Sequence, residues 1–133
     1  MDLMVSLVIL IDTNMILAQI QFNANIIKQL KNEDNELVVL SPVLIEIEKL
    51  AIGQTEDGMA ARVAIEIIAK ERLRIIEVEL KNTDNAIVEY AKLVKSDGIR
   101  IAVATNDKAL INRLVSKKIP VYRLKQKKLI EKI

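Results

Sequence analysis

Asp12 closes the apolar run LVILI, and Asp107 lies three residues past a second run, IAVA, at the end of Thr105-Asn106-Asp107. If both runs are buried parallel strands, both carboxylates lie at one edge of one sheet. Like charges about 4 Å apart repel by about 4 kcal/mol at an effective dielectric near 20, so a chain that keeps such a pair has a cation or a shared proton to hold there. The rest of the inventory leaves little other chemistry. There is no histidine and no cysteine, which removes the usual serine triad, an imidazole base, a thiol nucleophile and the common zinc sites. With glycine only at Gly53, Gly58 and Gly98, neither GxGxxG nor a Walker A loop can be written. What remains is carboxylate chemistry.

Alternating strands and helices must position these acids. The first strand runs from about Ser6 to Ile11; the stretch from Leu3 to Ile11 is too short to span a bilayer and lacks a leader's basic start and small-residue cleavage site. Helical patterns follow over 13–19 and 25–31, then a turn over 32–35 and a second strand over 37–40. Ser41-Pro42 starts a helix with Ser41 as N-cap and Val43, Leu44, Ile47 and Leu50 inward, ending at Gly53. A helix over 57–71, a third strand over 74–78 and a helix over 84–95 come next, the last with Ala86, Ile87, Tyr90, Ala91 and Val94 inward. The fourth strand is 101–104, a helix covers 108–116, and the fifth strand is 120–124; residues 126–133 read as a short helix or a frayed basic tail. With 133 residues, 51% hydrophobic and only 2% aromatic, this is a single α/β domain over 1–133 with an aliphatic core, a five-stranded parallel sheet covered by helices on both faces in three layers. The absence of cysteine agrees with the cytoplasm as the expected location.

In open parallel sheets, ligands bind outside the carboxyl ends of the strands where strand order reverses. Asp12 and Asp107 fit that place, and Glu46, one turn into the helix after strand two, and Asp84, opening the helix after strand three, follow strands on the same side. Each acid also has a plainer reading. Asp12, Asp84 and Asp107 stand where helix N-caps stand, worth about 1 kcal/mol each, and Glu46 alone reads as a solvated helix residue. Their convergence favours a site.

The segments DTN at 12–14, VLIEIEKL at 43–50, TDNAIVEYA at 83–91 and VATND at 103–107 resemble the ordered motifs of the PIN domain, a metal-dependent ribonuclease fold. The resemblance covers nearly the whole chain and is nearest to the archaeal and eukaryotic PIN nucleases of small-subunit ribosomal RNA processing, through VATNDKALINRL and IPVYRLKQKKL; VapC toxins share the acids with a different tail. It implies strand order 3-2-1-4-5, which sets strands one and four side by side. It further implies Asp12, Glu46, Asp84 and Asp107 as catalytic acids, with Asn14 and Thr105 in support. Glu48 competes with Glu46, which is preferred by its place before Ile47 in the motif; Asp97 lies at the wrong end of the sheet, and Asn85 stands where relatives carry another acid.

A hard, all-oxygen set suits Mg²⁺ or Mn²⁺, one or two ions, with Asp12, Asp84 and Asp107 as ligands and a phosphodiester as substrate. The expected products carry 5′ phosphates and 3′ hydroxyls. From Arg113 to Lys132 there are eight basic residues against one acid, so this stretch carries +7 while the rest is net negative. Arg113, Lys117, Lys118, Arg123, Lys125, Lys127 and Lys128 therefore offer a path for an RNA backbone, while Phe22, Tyr90 and Tyr122, the only aromatics, offer little base stacking. Ile52, Met59 and Val63 suggest a homodimer face. A receiver or flavodoxin-like domain is the weaker fold alternative, since strand three runs into Glu77 and Glu79 rather than a phosphoacceptor. The functional alternatives are a toxin ribonuclease with an antitoxin partner, in place of a processing enzyme with a ribosome-processing partner, and a PIN-like module that binds RNA without cutting. No membrane role is expected.

Overall fold

The structure, a computed structural model, describes residues 7–31 and 34–133. The expected strand position at Ser6 and the turn positions at Asn32 and Glu33 lie outside the described residues. The elements are β1 (Val8–Ile11), α1 (Thr13–Gln21), α2 (Ile26–Leu30), β2 (Glu36–Leu40), α3 (Ser41–Ala51), α4 (Glu56–Lys70), β3 (Arg74–Ile76), α5 (Thr83–Ser96), β4 (Ile101–Ala104), α6 (Lys108–Ser116), β5 (Val121–Lys125) and β6 (Leu129–Lys132). They form one sheet in the order β3-β2-β1-β4-β5-β6, parallel from β3 to β5. The implied order 3-2-1-4-5 is present. Strand order reverses between β1 and β4, which places a switch point at the carboxyl ends of these two strands.

The central strands are apolar throughout because helices cover both faces. Ile9, Leu10, Ile11, Val38, Val39, Leu40 and all of β4 are buried, as are Met15 and Ile16 of α1, Val43 and Ile47 of α3, Ile87 and Ala91 of α5, and Leu110 and Leu114 of α6. Burying each of the Val, Leu, Ile and Met side chains among these stabilises the fold by about 1.5–3 kcal/mol. Leu44, Leu50 and Tyr90, expected to point inward, are half-buried and pack at the rim of this cluster. Among the described residues, no helix is long and apolar enough to cross a membrane.

Three expectations need correcting. Residues 126–133 are neither a helix nor a tail. They turn back as β6, antiparallel to β5, so the sheet has six strands and is mixed. The three-residue turn between them places Gln126 and Lys127 at φ 54 and 60, left-handed positions that glycine or asparagine usually fills. Gln29 of α2 fastens the hairpin, donating from Nε2 to the Lys128 carbonyl at 2.9 Å and accepting the Ile130 N–H at 2.9 Å. Second, Ser41 does not cap α3. Leu40 is the N-cap residue and lends no side-chain bond, while the Ser41 hydroxyl accepts the Val78 N–H at 3.0 Å and donates to the Val78 carbonyl, tying the chain after β3 to the start of α3. Third, β3 stops at Ile76, two residues before the expected end, because Ser41 takes over the backbone bonding of Val78.

Candidate active site

The register sets Ile11 opposite Ala104, which makes the next residues on each strand, Asp12 and Thr105, neighbours across the switch point. The Asp12 N–H still donates to the Ala104 carbonyl at 3.0 Å, so the sheet holds this carboxylate by its backbone. Its side chain is buried, 5% exposed. Oδ1 accepts the Thr13 N–H at 2.8 Å and Oδ2 accepts the Thr105 hydroxyl at 2.8 Å. Burial outweighs these two bonds, and the neighbouring charges of Asp84 and Glu46 add to it, so the Asp12 carboxyl is raised from 3.8 to about 6.

Thr105 sits at the centre of the arrangement. It is fully buried, donates to Asp12, and accepts the Asp107 N–H at 3.1 Å on the same hydroxyl oxygen. One threonine thus fixes two acids from adjacent strands. Asp107 caps α6, accepting the Leu110 N–H on Oδ1 at 3.0 Å, so capping and site placement are the same act.

Asp84 lies on the first turn of α5 but does not cap it. Asn82 does, accepting the Asn85 N–H at 2.9 Å. The Asp84 carboxyl, half-buried, is raised first by burial, then by the charge of Asp107, against the lowering influence of Arg113, with Glu46 raising it further. Asp84 therefore senses acids from two other elements. Glu46, an exposed residue of α3, accepts the hydroxyl of buried Thr13 on Oε1 and acts electrostatically on both Asp12 and Asp84. This geometry separates Glu46 from Glu48, which is exposed on the same helix. Asp12, Glu46, Asp84 and Asp107 are thus brought together at the carboxyl edge of the sheet.

Sequence reasoning left two contributors unassigned. Thr13 orients Glu46, and Asn106 joins the β4–α6 loop to β5, accepting the Leu124 N–H at 2.8 Å and donating to the Leu124 carbonyl at 3.3 Å. Both sit inside recognised segments, DTN and TND, and that was their available signal. Asn14, expected to support the acids, is exposed on the first turn of α1. Asp97 ends α5 at the opposite edge, ahead of β4, and Asn85 is exposed.

The basic residues divide. Lys125, Lys127 and Lys128 surround the β5–β6 turn at the acid edge, because β5 runs parallel to β1 and β4. Arg113 reaches the field of Asp84. Arg123 is paired with Glu131 at 2.8 Å. Lys117 and Lys118 follow the far end of α6, where the Lys95 ammonium donates to both of their carbonyls; this is the opposite edge, so the seven residues do not make one path.

The donor set is hard oxygen throughout, with at least one buried carboxylate held against its neighbours' charge, which fits a divalent cation such as Mg²⁺. Among the described residues no three acids stand at direct ligating spacing. A cation here would be held by one or two carboxylates and by water, the usual habit of Mg²⁺.

A mixed α/β sheet with four acids gathered at its switch point defines the class, and the family follows from it. The family model described as a PIN like domain matches residues 9–127, and the chain belongs to that family. Ribonuclease VapC4 of Methanocaldococcus jannaschii is 31% identical over 124 residues, covering 90% of this chain and 92% of that protein. The structure of the PIN domain endonuclease Utp24 superposes with a TM-score of 0.76 at 26% identity, covering 94% of this chain and 90% of the other. A domain of a functionally unknown protein from Methanocaldococcus jannaschii shares the fold, with a TM-score of 0.62 at 19% identity over 89% of this chain and 91% of its own.

Proposed function

We propose that the protein is a metal-dependent ribonuclease that hydrolyses RNA phosphodiesters to leave 5′-phosphate and 3′-hydroxyl ends. The observation that carries this reading is Asp12, buried and raised to about 6 while facing Glu46 and Asp84 across the switch point. A carboxylate raised by burial, with two more acids beside it, is expected where a cation is to be bound. The ribonuclease name of the relative and the endonuclease name of the structural neighbour support the same chemistry.

Asp12, Asp84 and Asp107 would hold one or two Mg²⁺ or Mn²⁺ ions, each ion by one or two of the carboxylates directly and otherwise through water. When bound, the metal supplies an activated water and offsets charge on the phosphate oxygens. Thr105 keeps Asp12 and Asp107 in register for that task, since a single buried hydroxyl contacts both. Glu46 is the base. Its Oε1 is engaged by Thr13, which leaves Oε2 to orient the attacking water and accept its proton as the 3′ oxygen departs. Arg113, whose charge reaches Asp84, would meet the substrate's phosphate.

The test is cleavage of a structured RNA with Mn²⁺ or Mg²⁺, comparing wild type with Asp12→Asn and analysing the product ends. Metal-dependent cutting to 5′ phosphates, reduced by at least 100-fold in the variant, is expected. RNA bound but left intact in either metal would favour the binding-module reading. The resemblance to processing nucleases favours a role in RNA maturation, ribosomal RNA included, whereas the 31% identity to a VapC relative favours a toxin with an antitoxin partner. Growth arrest on expression, relieved by the product of a neighbouring gene, would select the toxin role.

A further inference from the structure

Phe22 is the chain's one phenylalanine and is 42% exposed, while Tyr90 and Tyr122 are half-buried. It is the C-cap residue of α1, with its N–H bonded to the Ala18 carbonyl at 2.9 Å. Asn23, at φ 51, then turns the chain away and leaves the ring at the surface. The Lys127 ammonium lies 4.9 Å from the ring centroid. The backbone that carries Lys127 is held in place. Its turn is closed by the Lys128 N–H on the Lys125 carbonyl at 3.1 Å, and Gln29 fixes the hairpin through Lys128 and Ile130.

This pair is linked to the acids through the backbone of β5. Lys125 ends β5, the strand whose Leu124 backbone is held on both sides by Asn106, and Asn106 is the residue before Asp107. An exposed ring with the Lys127 ammonium over it, beside a basic turn at the carboxyl edge of the sheet, joins two requirements of single-strand binding. Ammonium groups track phosphates, and an aromatic face takes a base of any identity. Charge complementarity selects a polyanion as the occupant, because Lys125, Lys127 and Lys128 crowd one turn.

We propose that Phe22, with Lys127 and Lys128, forms a nucleobase-stacking subsite that receives single-stranded RNA beside the acid edge. The proposal rests on RNA being the substrate and adds where its unpaired bases are held. It revises the expectation that stacking contributes little, which rested on the chain having only three aromatics.

The chain has no tryptophan, so Phe22→Trp installs a single tryptophan at the subsite, which can be excited selectively over Tyr90 and Tyr122. Titration with an oligo(U) 12-mer in EDTA should quench the Trp emission saturably, in step with the anisotropy of a labelled strand. Phe22→Leu keeps apolar bulk without a π face and should weaken oligo(U) binding about tenfold, the scale of one stacked base, with its melting temperature measured alongside. Unchanged Trp emission at saturation, or Phe22→Leu binding as tightly as wild type, overturns the proposal. Since binding is read without metal, its outcome is independent of whether Asp12→Asn abolishes cleavage.

Discussion

Asp12 illustrates how a site residue works against the stability of the fold that holds it. Its carboxyl is raised from 3.8 to about 6 by burial and by Asp84 and Glu46, despite the bonds from Thr105 and Thr13. The folded state therefore binds this proton more tightly than the unfolded chain does, and between about pH 4 and pH 6 it carries more protons. Stability is fully present below the unfolded value and falls as pH rises through the folded one, by about 3 kcal/mol for a shift of this size. Asp12→Asn, with no proton to lose, is expected to flatten that slope and to melt above wild type at pH 7 in chelator; urea unfolding at pH 4 and pH 7 checks both. A variant no more stable than wild type at pH 7 would mean that Asp12 is solvated rather than desolvated. The acids themselves were legible in the sequence because each follows an apolar run or opens a helix. What was not legible is the wiring between them. Nothing in the spacing of Thr105 says that one hydroxyl serves two acids, nor that Thr13 reaches across 33 residues to Glu46, since both bonds depend on strand register and helix approach.

At the scale of elements, strands buried on both faces were easy to read, because β1, β2 and β4 are near-continuous aliphatic runs. The hairpin was harder. Gln126 and Lys127 carry none of the usual turn chemistry, and the clamp that compensates, Gln29, lies 101 residues from its partner Ile130. The junction of α3 and α4 hides a similar constraint in a single glycine. A Cβ built on Gly58 would lie 2.3 Å from the Gly53 carbonyl oxygen and 2.9 Å from that of Leu50. Both neighbours are backbone, so relief requires the two helices to part, and α4 is anchored there by the Thr55 cap on the Gly58 N–H at 3.1 Å. Gly58→Ala is expected to destabilise the protein by about 1–3 kcal/mol, although alanine favours helices by nearly 1 kcal/mol. A lowered urea midpoint with unchanged slope would show it. A variant as stable as wild type would mean that the junction is looser than this packing.

For the whole molecule, the distribution of charge matters more than its total, which is only +2. Read along the chain, residues 113–132 form a single basic run. The fold cuts that run in two, because a parallel crossover must carry the chain from the acid edge at Asp107 to the opposite edge before β5 can start. Nine residues of α6 span about 13 Å, and this separates Lys117 and Lys118 from the hairpin lysines by more than a Debye length at physiological salt, about 8 Å. The two groups should therefore contribute unequally to RNA binding. Lys125→Gln combined with Lys128→Gln is expected to weaken binding of a single-stranded RNA severalfold and to reduce the slope of log affinity against log salt by about 1.4, at about 0.7 for each phosphate no longer neutralised. Lys117→Gln with Lys118→Gln should leave both nearly unchanged. Filter binding from 50 to 200 mM salt, with both double variants at equal charge change, separates a located path from a diffuse field. Equal weakening in the two variants would mean that RNA senses only the net charge of the protein, and the acid edge would then have no privileged approach.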